Sequence, residues 1–316
     1  MSDPCILCGA GERTPVCTKN GFRIVRCASC GLVSVDPIPS PGTLEAYYRD
    51  GYDQFRYSFS SPGDDPPKRR MGELRLLERH AGTRRSVLDV GAAFGHFLVN
   101  ARSHGWEVTG VEPQDNARER ARERFHLEIS ASIDQVPDGC VDTVTLWHVI
   151  EHIATPIAFL QSIRPKLRES GIIALTTPNI DSLVARATGE SWGWLSPPDH
   201  LFLYSPKTLP GLLERTGFEV LEVGTRRGQS RNTVLLMLQA VAYRLGLFGQ
   251  LKESVALAAR EVRSRQGHGT FNIFWLVEKI TGAISFLLTP VLMLFWKAGL
   301  GDEVYAVGRK KGWEQV

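Results

Sequence analysis

The sequence lacks three patterns that would place it in common protein classes. Its first residues, Met1 to Cys5, have no basic segment followed by an apolar one, so we expect no secretory signal and a cytoplasmic protein. Residues 1–225 have 24 basic and 28 acidic side chains, and this lack of positive charge argues against nucleic acid as the main partner. Only six cysteines occur, four of them in two C-x-x-C pairs, which is typical of a metal site rather than of a disulfide framework.

The long apolar runs lie in the last third of the chain. Residues 226–316 carry 13 basic and 6 acidic side chains and hold apolar stretches at 232–248 and 271–296. The charge-free part, Ile280 to Trp296, reaches about 25 Å as a helix, short of the roughly 30 Å hydrocarbon core of a bilayer. We therefore expect peripheral contact with the inner face of the plasma membrane. The alternative is a helical subdomain or a homodimer interface that buries the same residues.

The two C-x-x-C-G sequences predict a structural zinc site at the amino terminus. The first follows Cys5 and the second follows Cys27, and alternating residues at Phe22 to Val25 predict a strand that enters the second turn. Each turn offers two thiolates, and four thiolates close a tetrahedral zinc site with no open position for catalysis. The predicted zinc ligands are Cys5, Cys8, Cys27 and Cys30.

A glycine-containing turn follows the strand sequence Val87 to Val90, and its residues are Gly91-Ala92-Ala93-Phe94-Gly95. A second predicted strand, Glu107 to Val111, ends in Glu112. This order predicts a nucleoside at the carboxyl edge of a parallel sheet, with its ribose hydroxyls bound by the acid. Ala93 stands where a dinucleotide-binding loop has its second glycine, so the pyrophosphate pattern fails. We expect this alanine to cost little stability if its φ is negative. The alternative is an ordinary strand–turn–helix with a chance pair of glycines.

Alternating strand and helix patterns continue along the chain and predict an α/β fold with a doubly wound, seven-stranded, Rossmann-like sheet. Asp89-x-Gly91-x-Ala93-x-Gly95 resembles the first motif of class I S-adenosylmethionine-dependent methyltransferases. The segment 141–152 resembles the fourth-strand region of ubiquinone-type O-methyltransferases, and 197–206 resembles the segment that follows their fifth strand. The resemblance covers roughly residues 85–225, and it is also similar to the methyltransferase domain family 23 group.

The resemblance implies S-adenosylmethionine as the methyl donor and places the functional residues. The donor-binding set at the strand ends is predicted to be Asp89, Gly91, Ala93, Gly95, Glu112, Ala131, Ser132, Trp147 and His148. Glu151, His152 and His200 are the predicted catalytic residues, with His152 or His200 as the general base. In related families, including small-RNA 2′-O-methyltransferases, a similar helix and a later histidine bind a divalent ion. Carried over, that second metal site would be His148, Glu151, His152 and His200, and on a helix the first three would share one face. The alternative is a metal-free junction in which Glu151 and His152 only cap and hydrogen-bond.

The sequence thus predicts five segments. They are a zinc ribbon at 1–36; a linker, aromatic lid and lead-in helix at 37–84; the S-adenosylmethionine-binding core at 85–225; an apolar helical insertion between the last two strands at 226–302; and the last strand and tail at 303–316. The expected reaction is O-methylation of a small or lipid-linked acceptor, such as a quinone or a polyprenyl-linked glycan. An RNA-modifying enzyme or an RNA-binding ribbon protein is the alternative, with a basic cluster at Lys68 to Arg70 and Arg84-Arg85 on the phosphates.

Overall fold

The computed structural model of the chain describes residues 4–47, 71–228, 280, 283–284 and 287–312. Within these residues the chain divides into two compact units. The first comprises Met1–Thr177, Ser196–Val223 and Tyr305–Val316, and the second comprises Pro178–Leu195 and Gly224–Val304. The first unit holds the four-stranded sheet, most of the seven-stranded sheet and all of the predicted site residues.

The main sheet has seven strands in the order β10-β11-β8-β7-β4-β5-β6. The neighbours β4–β5, β4–β7, β5–β6 and β7–β8 are parallel, so their carboxyl ends meet at one edge. Every residue of β4 is buried, as a strand covered on both faces requires. The strands are β4 Ser86–Val90, β5 Glu107–Val111, β6 Ile129–Ser130, β7 Val141–Trp147, β8 Leu167–Pro178, β10 Phe218–Arg226 and β11 Glu303–Lys310.

Short helices connect the strands. The first, α1, buries Leu74 and Leu77 at helical spacing, because these apolar residues form its only continuous stripe. The helices are α1 Met71–Ala81, α2 His96–Ser103, α3 Asp115–Phe125, α4 Pro156–Ile163, α5 Leu183–Thr188, α6 Leu209–Arg215 and α7 Thr289–Phe295. A 3-10 turn, Ile150–His152, follows β7 where the sequence predicted a helix.

A second sheet of four strands, in the order β1-β2-β3-β9, forms the amino-terminal ribbon. Its strands are β1 Arg13–Lys19, β2 Phe22–Cys27, β3 Val33–Val35 and β9 Phe202–Leu203. The strand predicted at Phe22 to Val25 is therefore confirmed. The fourth strand was not predicted, since it lies about 170 residues along the chain from its partner β3.

The seven-stranded fold predicted from the sequence is confirmed, and most of its boundaries agree within a few residues. The strand β6 is short, with only Ile129–Ser130, and the helix α6 begins at Leu209. Most of the apolar insertion, including 232–248, and most of the aromatic lid lie outside the described residues. Of the second apolar run, Thr289–Phe295 is helical. No helix among the described residues is long and apolar enough to cross a bilayer.

Candidate active site at the carboxyl edge of the sheet

The loop after β4 needs glycine at two positions. Gly91 has a φ of 77°, and a Cβ there would lie 2.5 Å from Cγ2 of Val149. Gly95 has a φ of 76°, and its Cβ would lie 2.5 Å from Cδ1 of Leu127. Side chains at either position would be strained and would collide with the neighbouring apolar residues. Glycine at both positions therefore lets the loop pack closely against Val149 and Leu127.

Glu112 holds this loop from the end of the neighbouring strand. Its side chain is buried, and its carboxylate accepts hydrogen bonds from the backbone N–H groups of Ala93 at 2.9 Å and Gln114 at 3.1 Å. Its own N–H donates to the carbonyl oxygen of Ser130 at 2.9 Å, which fixes β5 beside β6. The carboxylate predicted to bind the ribose is thus oriented toward the loop, and a carboxylate offers about four acceptor positions for such hydroxyls.

The other predicted donor-binding residues surround this edge. Asp89, at the end of β4, accepts a hydrogen bond of 2.6 Å from the hydroxyl of Thr145. Ala131 and Ser132 follow β6, and Ser132 caps a 3-10 turn whose Gln135 accepts from the N–H of Ala131 at 2.8 Å. Trp147 ends β7, and its ring packs against Phe97 in the core with centroids 5.4 Å apart. The sheet therefore brings these residues to the ends of adjacent strands, as the sequence predicted.

Ala93 differs from the sequence expectation, because its φ is 48°. An L-residue in the left-handed region costs about 1–2 kcal/mol, and glycine adopts the region freely at a smaller entropic cost. We predict that Ala93→Gly raises the free energy of unfolding by about 0.5–1 kcal/mol. Urea denaturation at constant m-value measures the change. The neighbouring Ala92→Gly is the matched control and should destabilise, since Ala92 is buried and has no positive φ. A lower midpoint for Ala93→Gly would contradict this account.

The side chains of Glu151 and His152, just after β7, converge with the side chain of His200, just before β9. The ligand atoms of Glu151, His152 and His200 all lie within 4.8 Å of one another. The rings of His152 and His200 are 4.8 Å apart at an interplanar angle of 70°. Nδ1 of His152 lies 2.8 Å from the carbonyl oxygen of Asp199, a bond that requires Nδ1 to be the donor. Nε2 of His152 is therefore the nitrogen with the lone pair.

Glu151 sets the electrostatics of this cluster. It is fully buried, and neither of its carboxylate oxygens has a hydrogen-bond partner in the part of the chain that the structure describes. Burial opposes ionisation, but the imidazoles of His148, His152 and His200 outweigh it and lower the pKa of Glu151 below its ordinary value. Burial also opposes the charged form of His152, but Asp199 and then Glu151 outweigh it and raise the pKa of His152. An ionised carboxylate beside a basic imidazole is an arrangement suited to accepting a proton.

The predicted four-residue metal set is not assembled in full. His148 has a φ of 58° and lies before the 3-10 turn, so His148, Glu151 and His152 do not share a helix face. Its Nδ1 is 3.4 Å from the carboxylate of Glu151, yet His148 is outside the convergent group. The residues that could act as ligands of a divalent ion are therefore Glu151, His152 and His200. The buried oxygens of Glu151 fit such an ion chemically.

Sequence reasoning missed two residues of the cluster. Asp199 contacts His152 through its carbonyl and also through its carboxylate at 3.1 Å. Tyr204 is fully buried, and burial and then Glu151 raise its pKa well above the ordinary value. The position of Asp199 directly before His200 was a usable signal, whereas nothing in the spacing marked Tyr204.

The four predicted zinc ligands converge in the ribbon. The sulfur atoms of Cys5 and Cys30 are 3.6 Å apart, and those of Cys8 and Cys27 are 3.5 Å apart. Four thiolates at about 2.3 Å from one ion would have sulfur atoms roughly 3.8 Å apart, so the spacing fits tetrahedral zinc. Although burial opposes it, hydrogen bonds from the backbone of Cys30 and from Cys8 lower the pKa of Cys27 to about 6. This favours the thiolate at Cys27, whereas burial raises the pKa of Cys5 and raises that of Cys30 to about 12.

Comparison with known proteins gives a match over the main sheet. Residues 67–223 match the family model described as a methyltransferase domain. The chain is 27% identical over 155 residues to the tRNA U34 carboxymethyltransferase of Pseudoalteromonas translucida, which covers 44% of this chain and 46% of the relative. It is 29% identical over 134 residues to the ubiquinone biosynthesis O-methyltransferase of Glaesserella parasuis, which covers 37% of this chain and 57% of the relative. The chain thus spans about half the length of these curated relatives.

Two solved structures are similar at low identity. An S-adenosylmethionine-dependent methyltransferase from Archaeoglobus fulgidus is 18% identical with a TM-score of 0.49, and the match covers 83% of this chain and 100% of that one. The 1,6-didemethyltoxoflavin-N1-methyltransferase of Burkholderia thailandensis, solved with S-adenosylhomocysteine, is 12% identical with a TM-score of 0.48. That match covers 95% of this chain and 100% of the other.

Proposed function

Because residues 67–223 are a class I S-adenosylmethionine-dependent methyltransferase domain, we propose that this protein methylates a hydroxyl oxygen of a small or lipid-linked acceptor. The observation that carries the proposal is the arrangement at one sheet edge. A buried carboxylate, Glu112, holds the donor loop, and Glu151 and His152, which follow the fourth strand of the domain, β7, converge with His200.

The donor supplies a sulfonium methyl group, which passes to the acceptor oxygen while the sulfur keeps the electron pair. The chain's own residues bind the donor, align the acceptor and remove its proton. Glu112 accepts hydrogen bonds from the ribose hydroxyls, and Gly91 and Gly95 allow the loop to take its positive φ angles and pack against Val149 and Leu127. Nε2 of His152 takes the hydroxyl proton, because the Asp199 carbonyl holds the proton on Nδ1. Glu151 then stabilises the imidazolium that forms.

In the ribbon, we propose structural zinc at Cys5, Cys8, Cys27 and Cys30. The short sulfur–sulfur distances support it, and four thiolates leave no ligand position for a substrate.

RNA is the second acceptor class, because one relative is named as a tRNA enzyme. The described part of the basic cluster does not favour it. Arg84 donates to the carbonyl oxygen of Ser170, and the guanidinium of Arg85 lies 5.3 Å from the centre of the Trp106 ring. Both arginines therefore have roles within the domain, and a hydroxyl on a small or lipid-linked molecule is the better-supported acceptor.

A labelling experiment tests the acceptor class. The purified protein is incubated with S-adenosylmethionine carrying a labelled methyl group and with separate lipid, small-molecule and RNA fractions. We expect label in the lipid or small-molecule fraction, and much less label with the Glu112→Gln protein when the methyl donor is held near its wild-type Kd. Label that nuclease treatment releases would contradict the proposal and assign the RNA alternative.

We also propose that the apolar segment around α7 contacts an anionic membrane surface. Leu287 and Leu294 are 75% and 66% exposed, and Val291 between them is 49% exposed. Val291 and Leu294 are three positions apart on α7 and share one face, Leu287 precedes the helix, and Lys297 follows it.

We predict that the protein floats with phosphatidylglycerol-containing vesicles and that Leu287→Asp/Leu294→Asp weakens this binding at least about tenfold. Burying a leucine contributes about 1.5–3 kcal/mol, so two losses exceed that factor. Val16→Asp is the matched control, since Val16 is an exposed apolar residue of the ribbon strand β1. Flotation that is absent at low salt, together with a stable dimer in sedimentation, would contradict the membrane proposal and favour the homodimer.

A further inference from the structure

The ribbon sheet is completed by a strand from the active-site segment. In β9, Leu203 pairs with Val33 and Phe202 pairs with Ser34, antiparallel to β3. The N–H of Val35 donates to the carbonyl oxygen of Leu201 at 2.9 Å and extends this pairing toward the cluster. The segment that carries Asp199 and His200 is thus joined by main-chain bonds to the zinc-binding module.

Leu201 links the two modules through its own backbone. Its carbonyl oxygen accepts from Val35 of the ribbon, while its N–H donates to the carbonyl oxygen of Glu151 at 2.8 Å. His200 is the preceding residue and is buried, with its ring against that of His152. A shift of β3 would therefore displace His200, the carbonyl of Asp199 and the backbone of Glu151 together.

A second bond holds the other end of the segment. The side-chain amide of Asn20, in the turn between β1 and β2, donates to the carbonyl oxygen of Pro197 at 2.9 Å. Asn20 has a φ of 51°, which suits this turn residue. Residues 197–203 are therefore bound at both ends by the ribbon.

The zinc ligands stand at the ends of the strands that make these bonds. Cys27 ends β2, and Cys30 precedes β3, so the second cysteine turn sets where β3 begins. A strand of only three residues is not stable without its neighbours, and about 35 residues of ribbon cannot build a core alone. We therefore expect β3 to stay ordered only while the four cysteines remain together in the zinc site. Residues 197–203 pair with β3 and depend on it in turn.

We propose that the ribbon is a positioning element of the active site, in which β3 and Asn20 hold Asp199 and His200 against His152. This inference rests on the proposed function only for its effect on the reaction rate. The physical coupling between the ribbon and residues 197–203 stands without it. Zinc at the four cysteines keeps the histidine cluster assembled, while the donor loop depends on β4 and β5.

Hydrogen exchange on the full chain tests the coupling directly. Exchange is measured at 197–204 and at 86–90 in the zinc-loaded protein, after chelation of zinc, and in Asn20→Gly. Glycine keeps the positive φ and removes only the amide that bonds Pro197. Thr14→Ala is the matched control, since the Thr14 hydroxyl bonds Arg26 within the ribbon. S-adenosylhomocysteine affinity and kcat are measured in the same samples.

We expect exchange at 197–204 to rise at least tenfold without zinc and by a smaller factor in Asn20→Gly, with 86–90 and the control unchanged. The affinity for S-adenosylhomocysteine should stay within about twofold of the wild type, because the donor site is intact. The kcat should fall, because the catalytic base is displaced. The proposal is overturned if exchange at 197–204 is unchanged both after chelation of zinc and in Asn20→Gly. It is also overturned if exchange in Asn20→Gly rises as much at 86–90 as at 197–204. If exchange responds as expected but no acceptor is ever methylated, the proposed function fails and the positioning role stands.

Discussion

Glu112→Gln is expected to weaken the binding of S-adenosylhomocysteine roughly 100-fold. A hydrogen bond to a charged group contributes about 1.5–3 kcal/mol, and the ribose offers two hydroxyls to this carboxylate. Losing about 3 kcal/mol corresponds to that factor in Kd. Isothermal titration calorimetry measures the change directly and needs no knowledge of the acceptor.

The matched control for this prediction lies on the same strand. Glu107 begins β5 at the opposite edge of the sheet and is exposed, so Glu107→Gln should bind the donor normally. Glu112→Gln also weakens the bonds from Ala93 and Gln114, and thermal melting should show the fold intact at the temperature of the titration. Unchanged affinity in Glu112→Gln would remove the donor site from this edge.

His152→Asn is expected to lower kcat by about 10²–10⁴-fold while donor affinity stays within about twofold. The asparagine keeps a donor toward the Asp199 carbonyl but has no nitrogen lone pair for the acceptor proton. The exposed His104 offers the control, and His104→Asn should leave kcat unchanged. Full activity in His152→Asn would exclude the proposed base.

The pH profile gives an independent check on this base. Asp199 and then Glu151 raise the pKa of His152 above its ordinary value against the effect of burial, so the neutral base becomes the main form only at a higher pH than for a free imidazole. In the wild type, kcat should therefore rise as the pH increases through the raised pKa of His152 and then level off.

Metal analysis tests the alternative in which a divalent ion takes the place of the histidine base. A second metal equivalent that is present in the wild type and lost in Glu151→Gln would replace the histidine base with an ion held by Glu151, His152 and His200.

Local sequence patterns predicted the parts of the fold that depend on local physics. The segment 141–152 begins with Val141 to Trp147, a run rich in β-branched and apolar residues, and this run forms β7. The helix α3, Asp115–Phe125, has interleaved arginine and glutamate residues, and such charge pairs on one helix face favour helix formation. The donor-binding residues were predicted from the family resemblance, and the parallel pairing of β4, β5, β6 and β7 brings them to one edge of the sheet.

The features that were missed depend on tertiary contacts or on backbone geometry that composition does not encode. The pairing of β3 with β9 joins residues far apart in sequence, and no local pattern signals it. His148 takes a left-handed conformation and the following residues form a 3-10 turn, so the helical spacing of His148, Glu151 and His152 was misleading. Ala93 also has a positive φ. From the sequence alone, alanine was expected to cost little stability at this position only if its φ was negative.

The shared strand β9 also limits how freely the two modules can be exchanged between proteins. A fragment cut at residues 67–223 would contain Phe202 and Leu203 but no β3, so it would present an unpaired apolar edge to other molecules. Conversely, a foreign ribbon grafted onto this domain would need a last strand in the same register as well as matching cysteines. The two modules are therefore expected to be inherited, and to be engineered, as one piece.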